Sequence, residues 1–182
     1  MSKSVMISIQ PRWCELIAKG EKTMEVRKTR PKLETPFKCY IYQTLPKSGD
    51  WNERDGRVIG EFVCDRIDAI KKRGIPENFD FCYLSLNEWG NDDIEVEIRD
   101  IAGSRIPKDA LNEYGQNVPV LYAWHISDLK IYDKPRKLDE FERPYECDEC
   151  TAQWASECNA CHKELKIKRP PQSWCYVEEY LR

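Results

Sequence analysis

Residues 5–27 read VMISIQPRWCELIAKGEKTMEVR, and the order of local signals in that stretch decides the fold class. Residues 5–9 form a short apolar run suited to a strand. Gln10 and Pro11 then open a helix, because a proline near the first helical position gives up an N–H that has no intrahelical partner anyway. Trp13, Leu16 and Ile17 share one helical face at i, i+3 and i+4. Gly20 follows Lys19 and suits a left-handed C-cap. A short helix is therefore predicted over residues 11–19, followed by a tight turn. Across residues 22–27, Met24 and Val26 alternate with Thr23, Glu25 and Arg27, which predicts a second strand.

Working outward, residues 37–43 and 57–67 read as further strands, the latter carrying VIGEFVCDRI. Residues 45–56 are rich in Pro, Gly, Asp and Asn and form a connection. Residues 72–93 support no firm assignment. Residues 107–114 predict a helix, with Pro107 early and Gly115 as its stop. Residues 120–132 are a long β-rich run, residues 138–141 have room for one helical turn, and residues 173–177 are a last strand able to return to the core. There is no internal repeat. Many short strands with two peripheral helices point to an α+β domain on a small, closed or nearly closed β-barrel.

The chain has 182 residues, enough for one domain and an accessory element. A hydrophobic fraction of 41% with 11% aromatic residues excludes a disordered chain. No apolar run approaches the roughly 20 residues of a membrane helix, so no membrane partner is expected. MSKSVMISIQP has no secretory h-region, which makes a cytoplasmic protein the expectation. The net charge of -3 provides no global field for nucleic acid. The distribution is uneven. Residues 1–40 hold nine Lys and Arg against four Asp and Glu, with five of the cations in residues 22–32. Residues 88–100 and 139–157 are acidic. A basic patch on an acidic protein suits one phosphate or nucleotide better than non-specific binding along a duplex.

Four of the nine cysteines form the pattern CDEC-TAQWASE-CNAC. Two residues between cysteines let both thiolates of a pair converge on one tetrahedral ion, so Cys147, Cys150, Cys158 and Cys161 are expected to hold one Zn²⁺. Four thiolates leave no open position for water, which makes the site structural. His162 is a possible substitute ligand; disulfides or a redox pair are the competing readings. Glu146, Asp148, Glu149 and Glu157 make this knuckle a poor phosphate binder. It would staple a loop too small for its own core, or dock a protein partner. Cys14, Cys39, Cys64, Cys82 and Cys175 are scattered among apolar residues and read as small buried hydrophobes. The expected organisation is a barrel over residues 1–142, a zinc knuckle over 143–167 and a C-terminal strand over 168–182.

The chemistry gathers between Gly20 and Arg30. A turn presents Lys22, and the strand after it presents Glu25 and Arg27 on one face, with Lys28 and Arg30 following. Glutamate accepts from an amino or imino edge, arginine donates through its fork, and lysine supplies a point charge. The plainer reading is a solvated strand with a weak Glu–Arg pair.

Gly20-x-Lys22-x-x-Glu25-x-Arg27 resembles the G-x-K-x-x-E-x-R signature of the ASCH family (activating signal cointegrator homology), PUA-like β-barrels related to the EVE and YTH modified-base readers. SIQPRWCELIAKG is similar to that family's leading strand and helix, and LYAWHISDLKIYDKP to its aromatic closing strand. The resemblance spans residues 5–141 and leaves the zinc knuckle outside. It implies a pocket beside Lys22, Glu25 and Arg27 for RNA or a nucleotide-like molecule. Such a pocket needs an aromatic surface for stacking, with Trp124 first, then Tyr40 and Tyr42. His125 alternates with Trp124 and should face the other way. Some small ASCH proteins resemble amidohydrolases acting on N4-acylcytidine, with a motif similar to G-x-K-x-x-T-x-R. This chain keeps the lysine as Lys22 and has Glu25 in place of the hydroxyl; Thr23 lies two positions away, and Glu61 is a possible second carboxylate. Glu25 is expected to hold Lys22 as an ammonium, against a role as base. The reading therefore favours a binding module. A hydrolase of N4-acylated cytidine-like nucleosides and a zinc-knuckle interaction module are the alternatives.

Overall fold

The computed structural model describes residues 3–45, 56–75, 78–85, 94–96, 102–144 and 165–179. The strands are β1 (Ser4–Ile9), β2 (Met24–Arg27), β3 (Phe37–Gln43), β4 (Arg57–Cys64), β5 (Ile67–Ile75), β6 (Asn78–Ser85), β7 (Ile94–Val96), β8 (Val120–His125), β9 (Ser127–Arg136), β10 (Phe141–Glu142) and β11 (Trp174–Glu179). The helices are α1 (Pro11–Ala18) and α2 (Lys108–Gly115), with a 3₁₀ turn at Leu138–Glu140. The strands form a six-stranded sheet in the order β10-β11-β1-β3-β4-β9 and a five-stranded sheet in the order β2-β8-β5-β6-β7. The α+β class read from the sequence is the observed one.

The chain divides into two compact units, interleaved in sequence. The first combines Met1–Cys14, Lys38–Glu61 and Lys130–Arg182. In it β1 pairs in parallel with β3 and antiparallel with β11. A strand paired on both edges and covered on both faces has no polar side, and all six residues of β1 are buried. Met6, Tyr40, Tyr42, Val58, Phe141, Ile167 and Val177 make its core. Tyr40 stands edge-on to Phe141 at 4.8 Å, so Tyr40 and Tyr42 are core residues and offer no stacking face.

The second unit combines Glu15–Phe37 and Phe62–Leu129. Here β2 pairs antiparallel with β8, and β8 with β5. Met24, Val26, Ile70, Leu121 and Ala123 lie on one face and pack with Leu111 of α2. This burial orients α2, whose start at Pro107 has no side-chain cap. Gly115 is its last helical residue rather than its stop.

Two long β-rich runs each resolve into a pair of strands. The run expected over residues 57–67 breaks at Asp65 and Arg66, where the Cys64 thiol reaches the Arg66 carbonyl at 3.5 Å. The run over 120–132 breaks at Ile126, and Asp128 follows with a φ of 45°. The first break falls on two consecutive exposed charges, Asp65 and Arg66, that interrupt the alternation; the second falls on an apolar residue, Ile126. Residues 72–93, left without an assignment, contribute to β5 and β6.

Candidate ligand-binding site

The helix-to-strand hand-over is built as the sequence indicates. Gly20 has a φ of 72°, in the left-handed region. Its N–H donates to Ile17 O at 2.8 Å, and the N–H groups of Glu21 and Lys22 both donate to Leu16 O, at 2.9 and 3.0 Å. These bonds satisfy carbonyls at the helix end and fix the backbone of Lys22 against it. A second loop closes over the same point. Thr23 N–H donates to Gly103 O at 2.8 Å, and Arg105, with a φ of 56°, donates from Nε to Glu21 O at 2.9 Å. A Cβ at Gly103 would lie 2.5 Å from Thr23 Oγ1 and 2.8 Å from Met24 Cε, so a larger residue there would have to displace those two side chains.

Lys22, Glu25 and Arg27 come together and are buried. The Lys22 side chain has 0% of its surface exposed, Glu25 8% and Arg27 11%. Lys22 Nζ lies 3.3 Å from Glu25 Oε2 and donates to Ser104 O at 2.6 Å. Arg27 Nη2 lies 3.1 Å from Glu25 Oε1. Glu25 thus sits between two cations, which excludes the solvated strand. Its Oε2 is buried and makes no hydrogen bond among the described residues beyond this ion-pair contact.

Burial draws the Lys22 amine below its ordinary value of 10.5. Glu25 pulls the other way and Arg27 adds to the lowering. The sequence argument had Glu25 deciding this balance. Desolvation outweighs it, because the ammonium has lost all its water.

The remaining motif cations are exposed and lie over aromatic rings. Lys28 Nζ is 4.9 Å from the centroid of Tyr114, and the Arg30 guanidinium is 5.6 Å from that of Tyr122. Tyr122 is the cross-strand neighbour of Arg27, as Trp124 is of Glu25. Trp124 is fully buried and meets Phe37 edge-on at 6.0 Å, so its ring presents no open face to a base. His125 lies opposite Met24, one residue out of phase with Trp124, and its Nε2 meets Asp68 Oδ2 at 2.5 Å. Glu61 belongs to the other unit, where Tyr132 donates to it at 2.5 Å and Lys38 lies 3.6 Å away.

Ser104, Gly103 and Tyr114 were not legible as site residues. A backbone carbonyl carries no residue signature, and Ser104 is 82 positions from the lysine it holds. Burial pushes the Tyr114 hydroxyl above its ordinary value; the charge of Arg27 opposes this, and that of Glu25 adds a smaller push upward. Cys147, Cys150, Cys158 and Cys161 lie outside the described residues. Of the other cysteines, Cys14, Cys39 and Cys64 are buried thiols, and Cys175 is a half-buried one.

No family model matches the chain, and no curated protein matches it. Among solved structures, ASCH from Zymomonas mobilis superimposes with a TM-score of 0.56 at 18% identity, covering 96% of this chain and 87% of its own. The chain has the ASCH fold. A tyrosine-to-phenylalanine mutant of the Zymomonas mobilis ASCH protein matches with a TM-score of 0.56 at 16% identity, over 97% of this chain and 91% of its own. A serine-to-alanine mutant matches at 0.55 and 18%, over 96% and 88%. At these identities the likeness speaks for the ASCH fold, and the site rests on its own geometry. Among the described residues no helix is long and apolar enough to cross a membrane, and no three His, Cys, Asp or Glu side chains cluster as a metal site.

Proposed function

We propose that the protein is an RNA-binding module that grips a nucleobase or nucleotide-like group with Lys22, Glu25 and Arg27. The observation that carries this is the buried, ion-paired trio, in which one carboxylate bridges two cations. Burying three charges stabilises a fold less than apolar side chains of similar volume would, so stability alone is a weak reason for the arrangement. The Glu25 carboxylate is a group of the kind that accepts from an amino or imino edge, while the arginine fork and the lysine balance a carbonyl or phosphate. The ASCH fold supports the same reading. The test is affinity for single-stranded RNA and for nucleosides in the native protein, Lys22→Met and Arg27→Gln, each checked by its thermal melt. Variants that fold should lose at least about tenfold in affinity, since hydrogen bonds to charged groups contribute roughly 1.5–3 kcal/mol. Folded variants that bind like the native protein would remove the trio from the site.

A hydrolase reading is favoured by one observation, the displacement of Lys22 toward its neutral form. A neutral amine is the form able to take a proton. Against it, Glu25 stands where the amidohydrolases carry a hydroxyl. Incubation with N4-acetylcytidine followed by chromatography decides it: released acetate and cytidine would make the protein an enzyme.

For Cys147, Cys150, Cys158 and Cys161 we propose one structural zinc ion. The donor set supports it, as do the ends of the segment that carries it. Arg143 N–H donates to Leu165 O at 2.8 Å and Ile167 N–H to Phe141 O at 3.0 Å, so the flanks are held as an antiparallel pair. Bound zinc would complete a loop already closed at its base and leave the chemistry elsewhere. Elemental analysis should return one zinc per chain, and Cys150→Ser should lose it. A metal-free native protein would overturn the assignment. A partner that binds native protein but not folded Cys150→Ser would add a docking role.

A further inference from the structure

Leu45, Tyr114 and Ile131 are the large apolar side chains that stand exposed among the described residues, and Tyr114 is the aromatic one. Its position follows from the packing of α2. Leu111, one helical turn earlier, is buried against Met24 and Val26, which brings the last turn of α2 beside the end of β2. The residue is 37% exposed, and Lys28 Nζ stands over its ring at 4.9 Å. A second cation–aromatic pair, Arg30 with Tyr122, stands beside Arg27 across the strand. Two rings, each with its own cation, therefore accompany the buried trio. Single-stranded nucleic acid is bound by this combination, because every base has a π-face and every linkage a negative charge.

We propose that Tyr114 is the stacking platform for the base next to the one held by Lys22, Glu25 and Arg27, and that Lys28 takes the phosphate between them. The ligand is then a single strand of RNA, at least a dinucleotide, rather than a free nucleotide. Tyr114 takes the place that sequence reading gave to Trp124, whose ring is shut in the core. The inference rests on the trio being an RNA site.

The test compares a fluorescein-labelled single-stranded RNA of mixed sequence with cytidine monophosphate as ligands. The proteins are native, Tyr114→Ala, Tyr114→Phe, Lys28→Gln and Arg27→Gln. Tyr114→Ala should weaken the oligomer roughly 5- to 150-fold, and Tyr114→Phe should stay within about twofold because the ring is kept. Lys28→Gln should lower the slope of log affinity against log salt by about one unit. Neither Tyr114 change should alter affinity for the mononucleotide. Native affinity of Tyr114→Ala for the oligomer, with Arg27→Gln impaired, would overturn the platform and leave the trio standing. Equal native affinity for mononucleotide and oligomer would also overturn it. No RNA binding by the native protein would overturn both readings.

Discussion

Glu25→Gln is the perturbation that most directly tests the physics of the trio. Glu25 meets Lys22 at 3.3 Å and Arg27 at 3.1 Å, with the lysine fully buried. At these distances and an effective dielectric of about 20, each contact is worth roughly 5 kcal/mol before desolvation is charged against it. Removing one partner of a buried pair costs about 3–5 kcal/mol, because a charge is left without compensation. Glutamine keeps the shape and one acceptor, and Arg27 is 11% exposed, so the lower end, about 3 kcal/mol, is expected at neutral pH. The loss should depend on pH in a defined direction. Lys22 has a folded value below its ordinary 10.5. Below the folded value both states hold the proton, and the cost of burying the charge is complete. As pH rises through it, the native state releases a proton that the unfolded chain keeps until 10.5, so stability rises. Glu25→Gln removes the influence that raises Lys22, so the folded value falls further and the penalty shrinks with rising pH. Urea unfolding at about pH 6 and about pH 9.5 measures both effects. Lys22→Met added to Glu25→Gln should recover stability at the lower pH. A Glu25→Gln protein within about 0.5 kcal/mol of native at both pH values, or equally destabilised at both, would refute the reasoning.

Other outcomes follow from the same geometry. Gly103→Ala should destabilise by about 1–3 kcal/mol in urea, because a Cβ there meets Thr23 and Met24, and it should weaken ligand binding by shifting Ser104. Gly20→Ala has open space around it, so it should cost only the left-handed backbone, about 1–2 kcal/mol. Burial pushes the Cys64 thiol from 9.0 up to about 12. The native state therefore keeps a proton that the unfolded chain releases, and stability should fall as pH rises from 9.0 toward about 12. Cys64→Ala should flatten the stability profile in that window, and an unchanged profile would show that the thiol does not contribute to it.

Much of the scaffold was legible because it rests on local causes. Pro11 opening a helix, Gly20 closing it and the alternation at Met24 and Val26 each act within a turn or a strand, and each stands as read. The run past Cys64 was carried across Asp65 and Arg66, two consecutive exposed charges that interrupt the alternation, whereas at Ile126 the residue between the strands is itself apolar. The aromatic assignments failed for a different reason. Composition says that Trp124, Tyr40 and Tyr42 are in strands, but a ring's exposure depends on what packs over it.

The sequence alone determined that Lys22, Glu25 and Arg27 leave a helix cap and enter a strand, because that placement needs only neighbouring residues. It also determined the α+β class and the spacing of four cysteines. Tertiary structure decided that the three charges are buried and paired, that a carbonyl 82 residues away accepts the lysine's hydrogen bond, and that Tyr114 rather than Trp124 is part-exposed. Solvation and contact between distant segments set those properties, and neither is written in local pattern.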